Sequence, residues 1–213
     1  MQIVAGDGQA PTTVRDRDGI IRDHLADSLA ALELAPVRRA RSIADLGAGA
    51  GFPGLPLAIA LPAASVALVE SNGRKCEFIE RAIGACGLRN ARAVQSRAEA
   101  WTDGLGCCDL VTARAVDSLA VMAEYAAPLL RIGGTLVAWR GRRDVAEEKA
   151  ASRAAEVLGL APGVVIRTQP YPGAQHRHLH SFTKTAPTPD RFPRRPGMAH
   201  KRPLGAASDR PRR

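Results

Sequence analysis

Hydrophobic positions along the 213-residue chain alternate between helical and strand spacing. Between Ile20 and Leu34, Ile21, Leu25, Leu29 and Leu32 recur at helical intervals and predict an amphipathic helix ended by Pro36. The run Ser42 to Leu46 predicts a first strand, and Leu55 to Leu61 a helix closed by Pro62. Either Pro53 or Pro56 can occupy the first turn of that helix, where a missing N–H does no harm. Val66 to Val69 reads as a second strand ending at Glu70, and Arg74 to Cys86 as a helix that Gly87 stops. The face of this helix carries Phe78, Ile79, Ala82, Ile83 and Cys86. Ala91 to Val94 and Asp109 to Ala113 make the third and fourth strands, the latter delivering Arg114 to the edge of the sheet where the earlier strands end. Asp117 or Ser118 caps a helix through Leu130, Gly133 and Gly134 turn the chain, and Thr135 to Trp139 is a fifth strand. Asp144 with Glu147 resembles a capping box that opens a helix to Leu158. Val164 to Thr168 and His178 to Lys184 follow with only a turn between them, so they pair antiparallel. The expected fold is α/β, a doubly wound and mostly parallel sheet with a reversed edge strand.

Composition sharpens the boundaries. Residues 1–12 are small, polar and aperiodic, so 1–17 reads as a flexible N-terminal remnant, 18–185 as the folded domain and 186–213 as a tail. The tail holds eight Lys and Arg against Asp190 and Asp209, six of the nine net positive charges. Its prolines argue against regular structure in most of it. Such a tail favours a polyanion, with nucleic acid ahead of membrane because no apolar anchor accompanies it. Cys76, Cys86, Cys107 and Cys108 show neither CxxC nor metal-ligand spacing and read as structural, so no metal is expected. The first residues lack a basic stretch followed by an apolar core, and the most apolar window, Leu55 to Val69, is interrupted by Pro56 and Pro62. A reduced, cytoplasmic protein without a membrane span is the expectation.

The candidate chemistry centres on SIADLGAGAGFPG, Ser42 to Gly54. Four glycines, Gly47, Gly49, Gly51 and Gly54, lie between a strand and a helix, where backbone turns tightly and comes close to a ligand. Glu70 ends the next strand and is placed to accept hydrogen bonds from ribose hydroxyls. Gly49, Gly51 and Gly54 fit GxGxxG, so the glycines alone leave a nicotinamide dinucleotide and S-adenosylmethionine both open. Asp45, two residues before the first glycine, suits a cationic amino-acid group and repels a pyrophosphate. The chain also lacks room for a separate substrate domain of the kind many dehydrogenases carry. On the helix predicted between Ile20 and Leu34, His24 and Asp27 stand three apart and read as a local helix pair.

DLGAGAGFPG (Asp45 to Gly54), LVESNGRK (Leu68 to Lys75), QSRAE (Gln95 to Glu99) and TARAV (Thr112 to Val116) occur in the order found in the RsmG family, and the chain resembles that family. HLADS (His24 to Ser28) and RFPRRPGMAHKRPL (Arg191 to Leu204) fit as well, so the resemblance covers nearly the whole chain. The family, formerly glucose-inhibited division protein B, comprises bacterial methyltransferases that modify N7 of a guanine in 16S ribosomal RNA. The resemblance implies a Rossmann-like class I methyltransferase using S-adenosylmethionine, with 16S ribosomal RNA or the small ribosomal subunit as partner. It implies cofactor contacts at Asp45, Gly47, Gly49, Phe52, Glu70, Ala98, Glu99 and Arg114. Arg114 is also the candidate catalytic residue, and Arg140, Arg142, Arg194, Arg195, Lys201 and Arg202 are the candidates for meeting RNA. Family members often show Lys where Arg140 stands, a change of geometry at constant charge.

Guanine N7 carries a free lone pair, so its methylation requires no general base and rests on positioning. The absence of an obvious catalytic dyad or activated cysteine agrees with this. One departure concerns the start: family members usually begin with a helical segment carrying a Trp and Asn motif that leads into NLT, whereas here the chain begins just upstream of Thr12 to Asp16. The alternatives are an RNA-binding ribosome-assembly protein with impaired turnover and a small NAD-binding oxidoreductase.

Overall fold

A computed structural model describes residues 2–8 and 10–206. Its strands are β1 (Ser42–Leu46), β2 (Ser65–Glu70), β3 (Ala91–Gln95), β4 (Cys108–Arg114), β5 (Leu130–Arg140), β6 (Leu160–Thr168) and β7 (Arg177–Lys184). They form one sheet in the order β3-β2-β1-β4-β5-β7-β6. Strands β1 to β5 pair in parallel, and β7 runs antiparallel to both its neighbours. The reversed strand therefore lies one place in from the edge, and β6 is the edge itself. Residues 169–176 are too few for a parallel crossover, so β7 must fold straight back along β6. Strand order reverses between β1 and β4, which opens crevices at the carboxyl ends of these strands.

The helical segments are α1 (Gln2–Gly6), α2 (residues 17–33), α3 (Ala35–Arg39), α4 (Gly54–Ala60), α5 (Gly73–Ala85), α6 (Leu119–Ala126), α7 (Val145–Leu158) and α8 (Met198–Lys201). The strand alternation divides the core into two layers. Ile43, Val66, Leu68, Leu110 and Val137 face α2 to α5, while Ala44, Leu46, Val111, Ala113, Leu136 and Ala138 face α6 and α7.

Several elements differ from the sequence reading for identifiable reasons. Helix α2 winds as a π-helix over Ile20–Ala26 and as a tight 3-10 turn over Ala30–Glu33, so its buried face precesses away from the 3.6-residue spacing. Ile20, Asp27, Ser28 and Ala31 are buried, while Ile21 and Leu29 of the expected face are 37% and 36% exposed. Pro36 sits in the first turn of α3 rather than acting as a simple stop. The N-terminal segment is ordered against the domain over its described residues: Val4 and Ala10 are buried, and the Arg15 guanidinium donates to the carbonyls of Val4, Asp7 and Ala10. Strand β5 begins at Leu130 and absorbs both Gly133 and Gly134, so α6 is correspondingly shorter. Cys76 and Cys108 are buried, but Cys86 and Cys107 are exposed and do not pack the core.

Over its described residues the tail is mostly irregular, as its prolines suggest. Through residue 206 it lies on the domain, with Phe192 and Ala199 buried and α8 as a regular turn of helix. Residues 207–213, with Arg210, Arg212 and Arg213, lie outside the described residues.

Candidate functional site

Two cavities open at the carboxyl edge of the sheet. The first, of about 300 Å³, is lined by Leu46 and Gly47 at the end of β1, Val69 to Ser71 at the end of β2, Ser96 to Glu99 after β3, and Val116, Asp117 and Tyr125. Gly197, His200 and Lys201 of the tail complete its wall. The second, of about 400 Å³, is lined by Asp23, His24 and Asp27 of α2, Arg114 and Ala115, Trp139 to Gly141, Thr168, Arg177 and His178. Both volumes fall in the roughly 300–1,000 Å³ range of small-ligand sites.

Residues 114–117 form the partition. Arg114 and Ala115 face the second cavity, and Val116 and Asp117 the first. Ala115 adopts φ of 55°, a left-handed conformation that L-residues rarely hold and that clusters at functional sites. Arg140 braces the partition by donating to the Asp117 carbonyl at 2.9 Å while pairing with Glu147. Glu147 also accepts from the Leu119 N–H at 3.0 Å and so caps α6 from the neighbouring helix. Of the two expected caps, Asp117 accepts from the backbone only at the Ser118 N–H, at 2.6 Å, and Ser118 makes no capping bond, its hydroxyl buried without a partner among the described residues.

The glycine turn is held from inside the protein. The Gly54 N–H donates to Asp45 Oδ2 at 2.9 Å, the Gly49 N–H to Glu70 Oε2 at 3.1 Å, and the Gly51 N–H to the Ala48 carbonyl at 2.7 Å. Asp45 is fully buried on the α4 face of the sheet, and the β1–β4 register sets Thr112 beside it to donate to Oδ1 at 2.7 Å. Both its oxygens are thus engaged away from the cavity, which corrects its expected place in the cofactor wall to one beneath the turn. Burial pushes its carboxyl up to about 6, against the opposing hydrogen bonds from Thr112 and Gly54 and the charge of Arg114. Glu70 does face the first cavity, with Oε1 also accepting from the Asn72 N–H at 2.9 Å. Gly47 holds φ of 62°, and a Cβ there would stand 2.9 Å from Val116 Cγ2 across the cavity mouth.

Phe52 and Arg114 do not reach the first cavity wall. Phe52 stacks on His24 at 4.5 Å between ring centroids, and the Arg114 guanidinium carbon lies 5.7 Å from the Phe52 ring centre. His24 and Asp27 make no bond to each other; both are drawn to Arg114, which pairs with Asp27 at 3.2 Å and donates to the His24 ring at 3.4 Å. Because Arg only donates, His24 Nδ1 accepts, and Nε2 carries the proton it gives to Thr12 Oγ1 at 2.8 Å. Burial, then the Arg114 charge, lowers the His24 pKa, so the ring stays neutral near pH 7.

The expected RNA-facing residues divide. Arg142, Arg195, Lys201 and Arg202 are exposed, and Lys201 stands at the first cavity. Arg194 is instead committed inward, forming a bidentate pair with the buried Glu124 and donating to the Arg202 carbonyl. The tail is fastened twice more beside the first cavity, by the Gly197 N–H on Glu99 at 2.9 Å and by His200 on Asp117 at 2.5 Å. Sequence reasoning missed Val116, Asp117, Tyr125 and the 197–201 segment as cavity residues; the position of TARAV at the end of a strand was the available signal for the first two. Among the described residues no group of three or more His, Cys, Asp or Glu could hold a metal ion, and no helix is long and apolar enough to cross a membrane.

The family model described as GidB, rRNA small subunit methyltransferase G, matches residues 8–178. Ribosomal RNA small subunit methyltransferase G of Chloroflexus aggregans is 45% identical over 201 residues, 91% of this chain and 82% of that protein. The protein of the same description from Rubrobacter xylanophilus is 39% identical over 196 residues, covering 89% and 75%. Among solved structures, a SAM-dependent methyltransferase from Aquifex aeolicus superposes with a TM-score of 0.62 at 15% identity, over 80% of this chain and 94% of that one, which shows a shared fold.

Proposed function

The chain belongs to the rRNA small subunit methyltransferase G family, and we propose that it methylates N7 of a guanine in 16S ribosomal RNA, with S-adenosylmethionine held in the first cavity and the guanine presented at the second. The observation that carries this reading is the partition at residues 114–117, which gives one side to each cavity. A donor and an acceptor bound on its two sides meet at one short segment of backbone.

The first cavity fits the cofactor by its own chemistry. Glu70 and Glu99 supply acceptors at opposite ends of a wall whose middle is apolar, formed by Leu46, Val69, Ala98 and Val116. Glu70 would take the ribose hydroxyls, Ala98 and Glu99 the adenine, and Gly47 and Asp117 the amino-acid end, where a carboxylate favours a cationic ligand. When bound, the cofactor supplies an electrophilic methyl group on positively charged sulfur. Asp45 and Gly49 would act by holding the turn, and Phe52 and Arg114 from the acceptor's side of the partition. A dinucleotide is disfavoured because the glycine N–H groups that would cradle its pyrophosphate already bond Glu70, Asp45 and Ala48.

No side chain need remove a proton, since the N7 lone pair is free. The chain's task is orientation: Asp27 fixes Arg114, the buried Phe52 stacks on the His24 ring that lines the second cavity, and Arg140 holds the partition. The exposed Arg142, Arg195, Lys201 and Arg202 would meet phosphates, without specifying sequence.

Incubation with labelled S-adenosylmethionine and either naked 16S RNA or small subunits lacking the modification tests this. Transfer yielding 7-methylguanosine, abolished in Gly47→Arg together with donor binding by calorimetry, is expected. Cofactor and RNA binding without transfer by the wild type would favour an assembly role, and NADH binding without response to S-adenosylmethionine an oxidoreductase.

A further inference from the structure

Methylation at N7 constrains how the base can be recognised. The commonest specific contact to guanine, a bidentate Arg on O6 and N7, would occupy the nucleophilic lone pair. Guanine must therefore be told from adenine on its other edge, where N1–H and the N2 amine are both donors and require an acceptor. Adenine presents an acceptor at N1 instead.

The second cavity contains two carboxylates, Asp23 and Asp27. Asp27 is 9% exposed, and its oxygens face Arg114 at 3.2 Å and Arg177 at 3.5 Å. It is neutralised in place. Asp23 differs: its side chain is 35% exposed, and only Oδ1 is engaged, by the Tyr171 hydroxyl at 2.6 Å and Arg177 at 3.5 Å. Among the described residues Oδ2 has no partner, so about two of the four lone-pair sites of the carboxylate remain available. Tyr171 and Arg177 fix its orientation from the side away from the open oxygen, which leaves a preorganised acceptor at the rim of a cavity otherwise rich in donors: Arg114, Arg140, Arg177 and His178.

We infer that Asp23 is the residue that specifies guanine, accepting hydrogen bonds from N1–H and the N2 amine while N7 points to the partition. This rests on the reading of the second cavity as the base site. Asp23 is a specificity residue, not part of the methyl donor's cavity, so its loss leaves donor affinity unchanged.

The test compares reconstituted small subunits carrying guanosine or inosine at the target position, inosine lacking only the N2 amine. The wild type should methylate the inosine substrate with a kcat/KM roughly tenfold lower. Asp23→Ala should lose roughly tenfold or more on guanosine, bring the guanosine-to-inosine ratio close to one, and bind S-adenosylmethionine as the wild type does. Equal wild-type rates on the two substrates would overturn the assignment with no variant needed, as would a ratio unchanged in Asp23→Ala. Wild-type protein that methylates neither substrate would instead bring down the underlying function, and this inference with it.

Discussion

At the scale of single residues, Asp45 shows how the same carboxylate can be read in sequence and repositioned by the fold. Its type and its distance from Gly47 mark a ligand site, but the two-residue period of β1 turns its side chain to the α4 face, opposite Leu46. Only the β1–β4 register, which no local pattern encodes, reveals Thr112 as its partner. The energetic consequence has a definite sign. With its carboxyl raised to about 6 from an unfolded value of 3.8, the native state binds the extra proton, so this residue's contribution to stability falls as pH rises between those values. The fall amounts to at most about 3 kcal/mol. Asp45→Asn can keep both hydrogen bonds with its oxygen toward Gly54 and its amide toward Thr112. Urea unfolding should therefore show the variant gaining on the wild type as pH rises from 4 to 6, with the difference constant above 7. A difference that does not change with pH would refute the buried charge. Glu70, by contrast, was legible from its place at the end of a strand, and it lines the first cavity together with Ala98 and Glu99, which the family resemblance pointed to.

At the scale of elements, regular periodicity served wherever the element was regular. Helices α5 and α7 and strands β1 to β4 follow their apolar patterns, and Asp144 caps α7 through the N–H groups of Ala146 and Glu147 as its position suggests. Helix α2 defeats the same reasoning because a π turn and a 3-10 turn change its period mid-course. Proline content foretold the scarcity of regular structure in the tail but not its specific pairing: Arg194 finds Glu124, a carboxylate only 1% exposed. Removing one partner strands the other charge in the core. Arg194→Ala should accordingly cost about 3–5 kcal/mol and expose residues 186–206 to proteolysis, while replacing both residues by apolar ones of similar size should recover much of the loss. Thermal unfolding of the single and double variants checks it, and a tail that stays protected in Arg194→Ala would contradict the anchoring role.

At the scale of the whole molecule, the uneven charge seen in sequence acquires a geometry. The described tail contributes Gly197, His200 and Lys201 to the wall of the first cavity, so Lys201 stands beside that cavity while Arg195 and Arg202 are exposed. Affinity for small subunits should fall with salt by about 0.7–0.9 log units per decade for each phosphate engaged. Gln at Arg195 and Arg202 together should lower that slope by about one to two, measured as binding constants from low to moderate salt. Unchanged slopes would remove the tail from the RNA interface. The proposed function turns on a division of labour between two cavities at one partition. Its most direct test is a crystal structure with S-adenosylmethionine bound. The nucleoside should lie against Glu70, Ala98 and Glu99 with the methyl group directed toward residues 114–117; a donor lodged instead among Arg114, Arg177 and His178 would overturn the proposed function.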